Sequence, residues 1–301
     1  NDVTPGSQAV GSSINPPTNK LTTWISNIIS DLGKNGIFIA LIVVVVFFSI
    51  TTNGILLRPQ NISNLIVQNG YILVLAIGMV MVIIAGHIDL SVGSVAAFIG
   101  AISGVFAVKM GLPWWLSIIL SLLIGALVGA WQGFWVAFVG IPAFIVTLAG
   151  MLIFRGLALV VLGNANIGSF PEEYRALGNG FTKNWFFTDA AIDPLTLAVA
   201  AIALIAFVVQ QVRTRNARVK YEQHVDPLPW FITKLVLVIV AIGFFAYALA
   251  SYKGIPVTLI VLAVLVLVYG IVMARSVFGR HIYAIGGNET AAILTGLPVA
   301  R

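Results

Sequence analysis

The 301-residue chain contains no cysteine. That excludes a disulfide framework and any site built on thiolate ligands. Charge is scarce as well: only 9% of residues are Asp, Glu, Lys or Arg, against about 25% in a soluble domain. With 59% hydrophobic residues and a mean hydropathy of +1.04, the composition excludes a soluble globular domain and calls for an integral membrane protein. No GxxxxGK[S/T] phosphate loop is present, so ATP is not bound by that device. No HExxH motif or His/Cys cluster suggests a metal centre, and no cofactor is expected. The net charge of +6 does not imply nucleic acid, because the Lys and Arg residues gather in short loops, the pattern of membrane orientation.

What remains is a series of apolar runs. Residues 1–20 are polar, carry Pro5, Pro16 and Pro17, and read as a disordered tail. Leu21, Trp24, Ile25, Ile28, Ile29 and Leu32 then recur at helical spacing. They read as an amphipathic helix on the membrane surface or as the start of the first span. The expected fold is all-α and polytopic, with about eight transmembrane helices near 36–52, 65–86, 90–108, 113–139, 142–162, 194–212, 230–250 and 255–274. Each is close to the ~20 residues a bilayer core requires. The domain plan is a tail and interfacial helix over 1–34, a membrane domain over 35–274, and a polar segment over 275–301. Placing the N-terminus in the cytoplasm puts Lys20, Lys34, Arg213, Arg215, Arg218, Lys220, Arg275, Arg280 and Arg301 inside. Arg58, Lys109, Arg175, Lys183 and Lys253 then lie outside. The excess favours that orientation and puts the long 163–193 loop, with Trp185, Phe186 and Phe187, outside. That loop reads as a docking surface or a loosely folded lid. Two stripes of small residues, Gly93/Ala97/Gly100/Gly104 and Gly125/Gly129/Gly133, permit close helix packing, within one subunit before between two.

Polar residues inside the apolar runs mark candidate function. His87-Ile88-Asp89-Leu90-Ser91-Val92-Gly93 separates two runs. Asp89 or Ser91 can cap the following helix, either as an ordinary hairpin or as a broken-helix element beside a transport path. Arg155 lies within the fifth run, where a charge is costly, and either snorkels or lines a polar path. Asn64, Gln68, Gln132 and Thr147 are further candidate linings, although each can equally serve helix packing.

The last segment is the most structured polar piece. Gly286 and Gly287 are expected to break the chain. Asn288 caps a helix of about two turns with Glu289 in its first turn, and Gly296 followed by Pro298 stops it. The apolar face of Ala291, Ala292, Ile293 and Leu294 is small, and so short a helix needs a partner surface. The alternative is a capped turn between membrane helices.

Three stretches resemble a known family. Ala85-Gly86-His87-Ile88-Asp89-Leu90-Ser91-Val92-Gly93-Ser94 resembles the GG-IDLSVGS signature of permease subunits of bacterial monosaccharide ABC importers of the ribose, xylose, arabinose and galactose type. Gly140-Ile141-Pro142-Ala143-Phe144-Ile145-Val146-Thr147-Leu148 with Arg155-Gly156-Leu157 resembles its IPxFIVTL…RGL segment. Gly279-Arg280-His281-Ile282-Tyr283-Ala284-Ile285-Gly286-Gly287-Asn288-Glu289, through Ala291, Ala292 and Gly296, resembles its GRxxYAIGGNxxAAxxxGI loop. His87 stands where Gly is commoner and Gln132 where many members have Asn. With the long 213–253 region, His87 leans towards the xylose or multiple-monosaccharide subgroup. The resemblance implies a multi-pass protein of the bacterial cytoplasmic (inner) membrane, surrounded by lipid, that carries a pentose or hexose and does no chemistry on it. It also implies a second permease as homodimer partner, an ATPase on a separate chain, an extracytoplasmic sugar-binding protein, and further spans after this chain. The short helix at Glu289 becomes the element that couples to the ATPase. The competing reading is a proton-coupled secondary sugar transporter with His87, Asp89 or Arg155 in the relay. An intramembrane enzyme is disfavoured because the spans offer too few convergent catalytic groups.

Overall fold

The computed structural model describes residues 36–37, 40–163, 165–182, 192–223, 225 and 227–297. The expected interfacial helix, Trp185 to Phe187 and Pro298 lie outside them. The chain divides into two compact units, residues 1–58 and 59–301. In the first, helix α1 spans Ala40–Thr51 and a 3₁₀ turn follows at Ile55–Leu57. Thr51 and Thr52 return their hydroxyls to the carbonyls of Phe47 and Phe48, so these polar side chains add no unpaired donors at the end of an apolar helix.

The second unit is a stack of helices: α2 (Pro59–Ile84), α3 (Val92–Gly104), α4 (Trp114–Ala137), α5 (Ala143–Leu162), α6 (Glu172–Asn179), α7 (Pro194–Lys220), α8 (Leu228–Ala250), α9 (Val257–Arg275), α10 (Val277–Gly287) and α11 (Glu289–Leu294). Proline sets most of the starts. Pro113, Pro142, Pro171, Pro227 and Pro256 each occupy the N-cap in extended backbone, and Pro59 and Pro194 are first helical residues. A ring that fixes φ and lacks an N–H fits at the N-cap and in the first turn, where no intrahelical N–H bond is lost, as Pro229 of α8 also shows. The one pairing of extended chain among the described residues is an isolated bridge between Phe181 and Pro256.

Among the described residues, seven helices are long and apolar enough to cross a membrane. Within the eighth expected span, 36–52, the described residues are helical at 36–37 and over α1. In α3 the helix widens into a π turn at Val105–Lys109 before ending. Across the seven helices, between 6% and 28% of the apolar window is buried, with α5 the most enclosed. The core therefore lies around α5. Phe98 of α3 and Trp131 of α4 both meet Phe154 of α5, with ring centroids 5.4 and 6.1 Å apart. Most other large apolar side chains face outward, as a lipid-facing surface requires.

Contacts assign the helix ends to two faces. On one face, Asp193 N–H bonds Ala250 C=O, Thr182 N–H bonds Ile255 C=O, and Thr258 Oγ1 donates to Gly178 C=O at 2.6 Å. Tyr174 of α6 hydrogen-bonds Ser103. Over its described residues the 163–193 loop carries α6 and the bridge from Phe181 to Pro256. On the other face meet the end of α2, the start of α3, the α4–α5 turn, and α10 with α11. Of the small-residue stripes, Gly125 approaches Ile99 and Gly104 approaches Ile167, whereas Gly93, Gly100, Gly129 and Gly133 face open space.

Candidate functional site

The polar break between α2 and α3 is built by its own side chains. Gly86 has φ +83, the left-handed conformation that turns the chain out of α2. Asp89 Oδ1 then accepts from the Ser91 backbone N–H and from Ser91 Oγ, both at 2.7 Å. Asp89 thus fixes the N-cap residue of α3 from two positions before it. Ser91 occupies the N-cap position but makes no side-chain cap bond, because its hydroxyl is engaged elsewhere.

That hydroxyl is buried, Ser91 being 1% exposed, and lies 3.0 Å from Gln132 Oε1 of α4. A serine has one proton to donate, and Asp89 is a pure acceptor. Meanwhile Gln132 Nε2 is buried without a partner. Turning the amide over resolves both: Nε2 donates to Ser91 Oγ, and Ser91 donates to Asp89. The result is a directed chain, Gln132 to Ser91 to Asp89. From α5, Thr147 Oγ1 lies 3.3 Å from the Ile88 carbonyl while bonding its own Ala143 carbonyl at 2.9 Å. Gly150, one turn on, leaves the room the network occupies: a Cβ there would lie 2.7 Å from the outer atom of the Gln132 amide and 3.6 Å from Ser91 Cβ. Sequence reasoning did not single out Gly150, because nothing local marks the tertiary neighbour that needs its missing side chain.

The second part of the site is the segment 276–297. Ser276 caps α10 through Gly279 N–H at 3.0 Å. Gly286 and Gly287 do not break the chain as expected; α10 runs through both. The reason for Gly286 is contact, since a Cβ there would overlap the Ile84 carbonyl oxygen at the end of α2. The break comes at Asn288, in extended backbone, whose Oδ1 accepts from Ala291 N–H at 2.9 Å. Gly296, at φ +80, ends α11. Ala292 is buried against the body, whereas Ile293 and Leu294 are exposed. The two parts share a cleft of about 360 Å³ lined by Gly86, His87, Ile88, the α4–α5 turn and Glu289.

The structure thus joins Asp89, Ser91 and Gln132, brings Thr147 to the neighbouring Ile88 carbonyl, and sets Glu289 and His87 on one cleft. It does not bring the remaining expected lining residues to them. Arg155 is exposed on α5, about 12 Å along the helix from Thr147. Asn64 and Gln68 lie near the start of α2, with Gln68 exposed, roughly 24–30 Å from Ile84. Among the described residues no group of His, Asp or Glu is placed to hold a metal.

Residues 61–219 and 222–301 match the family described as Branched-chain amino acid transport system / permease component. The chain belongs to that family. The permease is also similar to the xylose transport system permease protein XylH of Haemophilus influenzae, with 37% identity over 87% of this chain and 68% of the relative. The XylH protein of Escherichia coli is 34% identical over 87% of the chain and 64% of its own length. The ribose import permease protein RbsC of Bacillus subtilis is 31% identical over 89% of the chain and 62% of its own length. The permease thus spans about two-thirds of the length of these curated relatives. No solved structure matches it. Its seven apolar helices and its family make it a multi-pass membrane transport component.

Proposed function

We propose that the permease is the membrane subunit of an ATP-driven importer that carries a monosaccharide, of the xylose type, across the bacterial cytoplasmic membrane. The observation that carries this reading is the hydrogen-bonded chain Gln132–Ser91–Asp89, with Thr147 beside it on the Ile88 carbonyl, at a break between helices. A sugar offers many hydroxyls and no charge, so its path needs donors and acceptors of this kind. A zwitterionic amino acid would need fixed charges of both signs together, and Arg155 stands apart from Asp89. The names of the relatives agree with sugar. The same separation gives no relay from His87 or Asp89 to Arg155, so nothing favours proton coupling. Arg155, Asn64 and Gln68 are assigned to more distant parts of the path. Arg155→Leu should lower uptake at least several-fold without preventing assembly; unchanged uptake would remove it from the path.

In this reading the N-terminal tail is cytoplasmic, residues 35–274 form the membrane domain, and 275–301 couples to the ATPase. Within the second unit, Arg213, Arg215, Arg218, Lys220, Lys234, Arg275 and Arg280 gather at one face, and Lys109, Arg175 and Lys253 at the other, which favours the first as the inner face. The exposed Ile293 and Leu294 of α11 then meet the ATPase. A second permease and an extracytoplasmic sugar-binding protein complete the assembly. Cysteines introduced at Glu289 or Thr290 should crosslink to the ATPase chain and resist an impermeant thiol reagent added outside. Labelling from outside would refute the placement.

A further inference from the structure

Helix α3 is held at both ends by hydroxyls that reach other elements. In α4 and α5, Ser117, Ser121 and Thr147 return their hydroxyls to a carbonyl one turn back, the usual way a polar side chain is satisfied inside an apolar helix. Ser91 and Ser103 do not. At one end of α3, Ser91 meets Gln132 of α4. At the other, Ser103 is 4% exposed and bonds the hydroxyl of Tyr174, in the first turn of α6. About 18 Å of helix separates the two serines.

The contact at Ser103 is closely fitted. A Cβ at the neighbouring Gly104 would lie 3.1 Å from Ile167 and 3.4 Å from Phe170, and the Phe170 and Tyr174 rings lie 5.0 Å apart. Directly after Gly104 comes the π turn at Val105–Lys109. Rewinding such a turn as α-helix shifts the register by one residue, so this end of α3 has two discrete arrangements available. The far end of α6 is fastened to α9, where Gly178 C=O accepts from Thr258 Oγ1 at 2.6 Å and Gly180 C=O from Val257 N–H at 2.9 Å. The first turn of α6 is the end left to move, with Glu172, Glu173 and Arg175 exposed beside Tyr174. We propose that Tyr174 and Ser103 are positioning residues for transport. A partner seated on the exposed side of α6 shifts its first turn, the hydroxyl pair passes the shift to α3, and α3 delivers it to Ser91 and the Asp89 network. This inference rests on the proposed assembly, in which the partner is the sugar-binding protein. Fold stability gains little from the pair, since Ser103 alone can turn its hydroxyl to the Ile99 carbonyl, as Ser117 and Ser121 turn theirs.

The test is amide hydrogen exchange, read by mass spectrometry, on the full-length importer in lipid nanodiscs with and without its sugar-loaded binding protein. In the wild type, docking should change exchange over His87–Ser91, at the opposite end of α3, by about threefold or more, the scale that one hydrogen bond commands. Tyr174→Phe keeps the ring on Phe170 and removes only the hydroxyl. It should leave the binding protein docked and bring the change at His87–Ser91 below about twofold. Ser103→Ala should do the same, and serves if the tyrosine variant fails to assemble. The double variant should be no worse than either single one, because both remove the same bond. Ser117→Ala, which deletes a hydroxyl bonded only within its own helix, should behave as wild type. A docked complex with no change at His87–Ser91, or a change that survives both Tyr174→Phe and Ser103→Ala, would overturn this inference alone. Failure of the wild type to form any complex would overturn the proposed assembly and this inference with it.

Discussion

Gly286→Val should cut sugar uptake by at least tenfold while leaving the permease in the membrane. Gly286 meets the Ile84 carbonyl backbone to backbone, and neither partner has a side-chain end that can swing aside. A valine must push α10 off the end of α2, at the 1–3 kcal/mol typical of overpacking. The damage should exceed that of an equal strain elsewhere because of the segments joined to this contact. Ile84 leads directly through Gly86, His87 and Ile88 to Asp89 and Ser91, and Asn288 joins α10 to α11. A displacement of α11 therefore reaches the Asp89 network through one close contact and one turn, a rigid path between two elements. Uptake should fall while ATP hydrolysis by the assembled importer persists. Uptake and thermal stability both at wild-type values would show that the contact carries nothing.

The second large effect is expected at Gly150. A leucine there collides with the Gln132 amide and crowds Ser91, so the amide must leave and the Gln132–Ser91–Asp89 chain must open. Gly150→Leu should abolish most uptake and lower stability by about 1–3 kcal/mol. Adding Gln132→Ala to Gly150→Leu vacates the space and should restore stability more than uptake, since the room returns and the hydrogen-bond donor does not. If the pair regains full transport, Gln132 is a packing residue. If Gly150→Leu alone is silent, α4 and α5 do not enclose the network as described.

Much of the architecture was legible in the chain. Runs of apolar residues punctuated by proline located seven helices, because a bilayer leaves few alternatives to a helix about 20 residues long. The Asn288 cap was legible because its partner is only three residues away. The break at His87–Ser91 was legible too, but neither side chain caps α3: Asp89 holds Ser91, and Ser91 meets Gln132. Contacts between distant segments could not be read. Gly286 looked like a chain break and is a contact glycine inside a helix. Gly150 carried no signal, and Lys234, inside an apolar run, escaped the charge count although it stands beside Arg215 and Arg218 in a cavity. Polar residues in apolar runs looked alike, yet helix faces and depth separate Arg155, Asn64 and Gln68 from the network that Gln132 joins and Thr147 borders.

The most direct measurement is uptake of labelled xylose, ribose, glucose and galactose into vesicles holding the full-length permease, its ATPase and its binding protein. Each sugar is tested with ATP alone and with a proton gradient alone. The account requires ATP-dependent uptake that survives a protonophore, strongest for xylose or shared among several monosaccharides. Uptake driven by the gradient without ATP would contradict it.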